Sequence, residues 1–473
     1  MADRDHEEPL HVVFFPWLAF GHMLPFLECS KSLAKRGHRV SFISTPRNIE
    51  RLSSNIPSDL SPFFNFVSFP LPQVENLPVG AESTNDILLP DQVQFLKKAV
   101  DGLQTNFSQF LQNSTPKPDW IIVDFFYHWA PPIASEFKIQ CAFFHIVPAS
   151  FVNFMWGDME AAVADNGAWR KTVEEFTVVP KWIPPPSNLA YRLHEAKSLL
   201  FAYQDNASGI MDLKRFSIVA KGCSLFVIRG CLEFDPVMFS LAEQLFKKPC
   251  IPVGLLLGDD IRKEAAVVHP NSAEARIFEW LNKQSPRSVV YVAFGSEAML
   301  STEQERELAL GLELSKTPFL WVLRRPAQAV AELLPEASEE QINGYGVVVT
   351  DWVPQLKILN HASVGAFFSH CGWSSVIEGL QFGHPFVMMP LFADQGVTAR
   401  RLEAEMVGVE VLWDGEDGSF TREAVAKAVR KVMVEEEGKT LRSNAQKLQE
   451  VFIDKDLQES YVDKLIQHLR DHK

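Results

Sequence analysis

Short apolar runs alternate with longer mixed stretches along almost the whole chain, and the alternation comes in two series. In the first, HVVFFPWLAF (11–20), HRVSFIST (38–45), FNFVSFPLP (64–72), DWIIVDFF (119–126), CAFFHIV (141–147) and CSLFVIRG (223–230) read as strands. The stretch FLECSKSLAKRG (26–37) reads as the first helix, closing at Gly37. Continuous apolar runs separated by helical stretches predict parallel strands covered on both faces. The pattern changes near 245–273, where a strand-like piece, KKPCIPVGLLLGDD (247–260), runs into a polar segment. A second series follows: SVVYVAFGS (288–296), FLWVLRR (319–325), YGVVVTDW (345–352), VGAFFSH (364–370), HPFVMMP (384–390) and VGVEVLW (407–413) as strands, with EQERELALGLELS, SSVIEGLQF and TARRLEAEMV as helices between them. From Thr421 the chain is helical and charged. The reading is α/β: one domain over 1–250, a second over 251–455 and a last helix over 456–473. Two such halves facing a cleft place a ligand at the carboxyl ends of the strands. Neither half contains G-x-G-x-x-G, which disfavours a dinucleotide.

Composition agrees with two domains and narrows the partners. A chain of 473 residues, 47% hydrophobic, can bury two cores, since single cores stop growing near ~250–300 residues. A net charge of −14 argues against nucleic acid, which needs clustered Lys and Arg. MADRDHEEPL has neither the basic nor the apolar region of a secretory signal, and no run of ~18 apolar residues suggests a membrane span. The six cysteines form no zinc spacing, so reduced, buried thiols in a cytoplasmic protein are expected.

The polar chemistry concentrates in WVPQLKILNHASVGAFFSHCGWSSVIEGLQFGHPFVMMPLFADQ (352–395). A helix starting near Ser374 would aim unpaired backbone N–H groups and the positive end of its dipole into the loop from Ser369 to Trp373, a seat for an anion such as a diphosphate. His370, Ser374 and Ser375 would add donors. Ser375 with Glu378 also fits a capping box, which needs no ligand. Elsewhere, His22 and Asp124 each follow an apolar strand. His22 reads as lying in a short loop between Gly21 and Pro25; an imidazole suits a general base near neutral pH, although a loop histidine is more often a surface or capping residue than a catalyst. A desolvated carboxylate needs a partner, and Asp124 could equally be an N-cap or a salt-bridge residue.

The whole 44-position string, with W-x-P-Q, the H-C-G-W run, Glu378, Gly383, Pro385, Pro390 and D-Q in register, resembles the signature box of plant UDP-sugar-dependent secondary-product glycosyltransferases. The resemblance implies two facing Rossmann-like domains (the GT-B architecture), with the last helix packing back on the first domain. Gly21, His22 and Pro25 match the family's G-H-x-x-P segment, so His22 would be the general base and Asp124 its orienting acid. Trp352 would stack on uracil, Val353 would offer its backbone to the base and Gln355 would lie beside the nucleoside. Glu378 would bind the ribose. Ser296, His370, Gly372, Ser374 and Ser375 would surround the diphosphate, and Trp373, Asp394 and Gln395 would face the sugar. Ser374 stands where the family usually has Asn, shortening a carboxamide to a hydroxyl.

On this resemblance the expected reaction is inverting and metal-independent, with UDP-sugar as co-substrate and no further cofactor. The only D-x-D strings, Asp3-Arg4-Asp5 and Asp454-Lys455-Asp456, do not end strands. PWLAFGH, STPRNIERL, LPVGAESTNDI and G-S-E at Gly295–Glu297 resemble the branch that adds a sugar to one already on a terpenoid, steroid or flavonoid glycoside. Trp17, Phe20, Phe126, Phe151 and Met155 are candidates to line the acceptor pocket, and Pro180–Asp205 is a candidate lid. The donor is expected to be UDP-glucose and the protein a monomer. The alternatives are a UDP-rhamnose-dependent enzyme on the same acceptors and a non-catalytic sugar-nucleotide-binding relative.

Overall fold

The computed structural model describes residues 8–87, 89–157, 170, 172–258, 273–295, 300–323, 345–415 and 418–473. The chain divides into two compact units. The first comprises Met1–Trp169, Leu200–Leu256 and Lys455–Lys473, and the second Arg170–Leu199 and Leu257–Asp454.

The first unit is built on a seven-stranded sheet ordered β3-β2-β1-β4-β5-β6-β7. Its strands are β1 (His11–Phe15), β2 (Arg39–Ser44), β3 (Phe64–Ser68), β4 (Trp120–Val123), β5 (Gln140–His145), β6 (Leu225–Ile228) and β7 (Cys250–Pro252). All six pairings are parallel. The central strands β1, β4 and β6 are buried at every residue, whereas the edge strand β3 is half-covered. That difference is the reason continuous apolar runs are good strand signals here: a strand with helices on both faces has no polar side. The last helix, Lys455–Asp471, lays Val462, Leu465, Ile466 and Leu469 into this unit's core beside Val12, Phe14 and Trp120. The Trp120 indole donates to the Leu469 carbonyl at 2.7 Å.

The second unit carries a six-stranded parallel sheet ordered β10-β9-β8-β11-β12-β13. Its strands are β8 (Val289–Ala293), β9 (Phe319–Val322), β10 (Gly346–Val349), β11 (Val364–Ser369), β12 (Phe386–Met388) and β13 (Gly408–Glu410). In each sheet the strand order reverses once, between β1 and β4 and between β8 and β11. Loops leaving neighbouring strands part to opposite sides at such a point and open a crevice at the strands' carboxyl ends.

The sequence reading runs the first domain unbroken to 250, but Arg170–Leu199 groups with the second unit. The cause is long-range pairing. Arg192 meets Glu410 at 2.5 and 2.9 Å, and Glu195 meets Arg400 at 2.9 and 2.8 Å. No local sequence signal foretells an ion pair between residues some 200 positions apart. All six cysteines are free and buried. Among the described residues no helix is long and apolar enough to cross a membrane.

Candidate active site

In the first unit the reversal point holds a histidine and a carboxylate. Val123 pairs with Phe15 in register, so Asp124 and the Pro16–Trp17 turn leave the sheet side by side. The Asp124 carboxylate is buried and collects three donors: Phe125 N at 2.7 Å, Trp17 N at 3.3 Å and His22 Nδ1 at 2.7 Å. A carboxylate only accepts, so Nδ1 carries the ring proton and Nε2 is the ring's acceptor, the tautomer a general base requires. His22 keeps 23% of its side chain accessible against 2% for Asp124. The acid is thus sealed and the imidazole reaches outward.

His22 does not lie in a short loop, as the Gly21 and Pro25 flanks predict. It sits in the first turn of the helix Phe20–Ala34. Met23, Phe26 and Leu27, one stripe at helical spacing, are fully buried, and their packing outweighs the bond that Pro25 cannot donate. Of the acceptor-side candidates, Trp17 and Phe126 stack on each other at 3.8 Å and are buried, as is Met155. Phe20 and Phe151 keep partial exposure.

In the second unit the reversal point lies between Phe294–Gly295 and His370–Gly372, the ends of β8 and β11, where Ala293 pairs with Ser369. The His370 ring is wedged between glycines. A Cβ at Gly295 would lie 2.9 Å from its Cε1, and one at Gly372 would lie 2.6 Å from its Nε2. Burial pushes the His370 imidazole down to about 4, so it is neutral at physiological pH. Cys371 turns the chain through a left-handed φ of 66°, and Gly372 then caps the helix Trp373–Gln381 without any side-chain cap bond. The first-turn N–H groups of such a helix have no intrahelical partner. Ser375 is the third helical residue rather than an N-cap, so the predicted capping box with Glu378 does not form.

Ser374 and Glu378, one helical turn apart, are the half-buried positions on an otherwise mostly buried helix, and residues at i and i+4 share a face. Gln355 Nε2 donates to Glu378 Oε2 at 2.6 Å, while Tyr291 Oη donates to Gln355 Oε1 at 3.0 Å. This relay from β8 fixes the carboxylate's orientation. Trp352 is 75% exposed, a large apolar ring standing in water, and Val353 beside it is buried. Gln395 is buried and accepts from Leu391 N at 2.9 Å and Phe392 N at 3.1 Å, which ties the loop around Asp394 to the helix Gln395–Ala404. Trp373 is buried. Ser296 lies outside the described residues. The predicted lid contributes Tyr191, whose hydroxyl donates to Ala393 O at 2.7 Å, and the ion-paired Arg192 and Glu195. This part of it is fastened to the rest of the second unit by one buried ion pair, Glu195 with Arg400, and by part-buried bonds from Tyr191 and Arg192.

These two groups can be set beside known proteins. A family model described as UDP-glucoronosyl and UDP-glucosyl transferase matches residues 250–462. UDP-glycosyltransferase 91C1 of Arabidopsis thaliana is 43% identical over 470 residues, covering 99% of this chain and 98% of that one. The chain belongs to the plant secondary-product UDP-glycosyltransferase family. It is a UDP-glycosyltransferase acting on plant secondary metabolites. A further relative, from Glycine max and named a soyasaponin III rhamnosyltransferase, is 39% identical with 99% and 97% coverage. The fold is GT-B. The crystal structure of Glycyrrhiza uralensis UGT73P12 complexed with glycyrrhetinic acid 3-O-monoglucuronide aligns with a TM-score of 0.81, covering 98% of this chain and 96% of that one at 21% identity.

Within this UDP-glycosyltransferase, the structure brings His22 and Asp124 together in one unit and clusters His370, Gly372, Ser374, Ser375 and Glu378 in the other. Tyr291 escapes a reading from sequence, and Tyr191 enters it only as part of the candidate lid. A signal existed for Tyr291: it is a hydroxyl in the apolar run SVVYVAF, and a buried tyrosine oxygen needs a partner. For Tyr191, nothing local pointed to the Ala393 carbonyl as its partner.

Proposed function

We propose that the protein transfers a hexose from a UDP-sugar, UDP-glucose foremost, to a hydroxyl of a sugar already carried by a terpenoid, steroid or flavonoid glycoside, with inversion at the anomeric carbon. The observation that carries this reading is the 2.7 Å bond between His22 Nδ1 and the sealed Asp124 carboxylate. His22 Nε2 takes the proton of the acceptor hydroxyl. The oxygen then forms its bond to the anomeric carbon as the bond to UDP breaks, and UDP leaves with the electron pair. The imidazolium is balanced by Asp124. A single displacement of this kind inverts the anomeric centre.

On the donor side, Trp352 offers its exposed ring to uracil, Val353 its backbone to the base's edge, and Gln355 stands beside the nucleoside. The Glu378 carboxylate accepts from the ribose hydroxyls. The diphosphate is held at the uncapped N-terminus of Trp373–Gln381 by backbone N–H groups, His370, Gly372, Ser374 and Ser375, with Ser296. Trp373, Asp394 and Gln395 face the sugar. Trp17, Phe20, Phe126, Phe151 and Met155 form the acceptor wall. Donors at a helix terminus meet the charge that develops on UDP, so the reaction runs without a metal or further cofactor. We place the enzyme in the cytoplasm, as a monomer.

A second donor, UDP-rhamnose, is favoured by the 39% identical Glycine max relative, whose name is that of a rhamnosyltransferase. Incubation with UDP-glucose and with UDP-rhamnose over a panel of glycosides, read by product mass, decides between them. The His22→Ala variant tests the core of the proposal. Transfer should fall about 10³- to 10⁴-fold, toward the upper range for a lost general base, while UDP still binds with wild-type affinity. Turnover within a few-fold of wild type would overturn the assignment.

A further inference from the structure

The loop that ends in Asp394 and Gln395 is short, partly exposed and held from beneath. Ala393 is exposed and adopts a left-handed φ of 54°, a conformation that disfavours residues with a Cβ and persists where surrounding bonds impose it. Two sets of bonds do so. From within, the Gln395 side chain fastens Leu391 N and Phe392 N. From a segment roughly 200 residues earlier in the chain, the Tyr191 hydroxyl donates to the Ala393 carbonyl at 2.7 Å. Tyr191 is itself buried, and its ring lies against Gly396: a Cβ there would be 2.8 Å from Tyr191 Cδ1 and 2.8 Å from Glu195 Oε2.

The footing of Tyr191 is a chain of four charges. Arg192 N donates to Glu195 Oε2 at 2.7 Å, which fixes the start of the helix Leu193–Leu199. Glu195 pairs with Arg400 on the helix Gln395–Ala404, Arg400 Nη1 pairs with Glu410 Oε2 at 2.8 Å, and Arg192 closes the chain on Glu410 from the other side. Glu195, Arg400 and Glu410 are buried. Paired charges without water tolerate little displacement, because losing a partner strands a desolvated charge. Tyr191 therefore approaches Ala393 from a fixed platform.

We infer that Tyr191 is a positioning residue for the donor's sugar: through Ala393 it sets the orientation of Asp394 and so the hexose end of the UDP-sugar, leaving the nucleotide end untouched. The inference rests on the proposed placement of Asp394 and Gln395 toward the sugar. The UDP portion is assigned to residues on other loops, so a perturbation confined to Ala393 should distinguish UDP-hexose from UDP.

The test compares affinities for UDP and for UDP-glucose by calorimetry in wild type, Tyr191→Phe and Asp394→Asn. Tyr191→Phe removes one oxygen without opening a cavity. It should weaken UDP-glucose by about three- to tenfold, the span of one neutral hydrogen bond, with UDP affinity unchanged. Asp394→Asn should show the same selectivity. Equal loss of both ligands in Tyr191→Phe would overturn the inference in favour of a general structural role. Unchanged UDP-glucose affinity in Tyr191→Phe, with a loss in Asp394→Asn, would overturn it and leave the sugar-facing assignment of Asp394 standing. No loss in Asp394→Asn would overturn both. Should Tyr191→Phe fail to fold, Gly396→Ala, which crowds the same ring while keeping its hydroxyl, carries the identical expectation and the identical contrary outcomes.

Discussion

Both oxygens of Asp124 accept backbone N–H bonds, from Phe125 and Trp17, before His22 is counted. The carboxylate is therefore oriented by the turn that leaves β1 and by its own neighbour, and the imidazole docks on a fixed acceptor. In the proposed reaction this residue orients the base and balances its charge; it takes no proton. Asp124→Asn should accordingly lower kcat by about 10²-fold, at the low end of the range for general-base catalysis and well short of the loss in His22→Ala. The donor KM should stay near wild type. A steady-state comparison of the two variants checks the order. At this scale much was legible in the sequence, because a lone polar residue just past an apolar strand stands out. The pairing of Asp124 with His22 was expected from the family resemblance, but its other two donors were not legible, since they are backbone groups that no side-chain pattern encodes.

The strands were legible because burial on both faces leaves no polar positions to confuse their pattern, and each predicted strand has its counterpart in one of the two sheets. The starts of the helices were less so. Gly21 and Pro25 read as a loop, yet the helix begins at Phe20 because Met23, Phe26 and Leu27 have a core to enter. Ser375 and Glu378 read as a cap, yet Gly372 occupies that place. Between β8 and the helix Trp373–Gln381 the tolerance for side chains is nil on one face. Gly295 combines a φ of 75° with a hypothetical Cβ 2.9 Å from the His370 ring. Gly295→Ala should therefore strain the backbone by about 1–2 kcal/mol and displace His370. UDP affinity should fall by about tenfold, the equivalent of 1.4 kcal/mol, with the acceptor KM unaffected. Calorimetry with UDP alone measures this without involving the acceptor.

Across the whole molecule, neutral imidazoles are buried in both units. His38 and His145 in the first unit are held down to about 4 and about 3, and His370 and His384 in the second to about 4, each chiefly by burial. An unfolded histidine takes up its proton near ~6.5, so between that value and about 4 the unfolded chain binds more protons than the folded one. Stability is full above pH 6.5 and declines as the pH falls through this window. Each such group can remove about 1–2 kcal/mol between pH 6.5 and 5. The melting temperature should drop progressively from pH 7 to pH 5 before carboxylates begin to titrate, and a thermal melt series at constant ionic strength that stayed flat would contradict it. Unit membership was the least legible property at this scale: Arg170–Leu199 joins the second unit through charges that recognise one another only once the sheet exists.

The four-charge chain beneath Ala393 also constrains how such an enzyme can diversify. Removing Arg400 takes from the buried Glu195 carboxylate its cationic partner, at a cost of roughly 3–5 kcal/mol, a large share of a typical domain's stability, whereas removing Glu195 or Glu410 takes one of the two carboxylates that balance Arg400. These positions are thus coupled in descent and accept change only in concert. The uncharged and at least partly exposed residues Leu391 to Ala393 carry no such debt. On the proposed placement of Asp394 toward the sugar, change in sugar preference has its open path in these neighbours, over a foundation that tolerates little change.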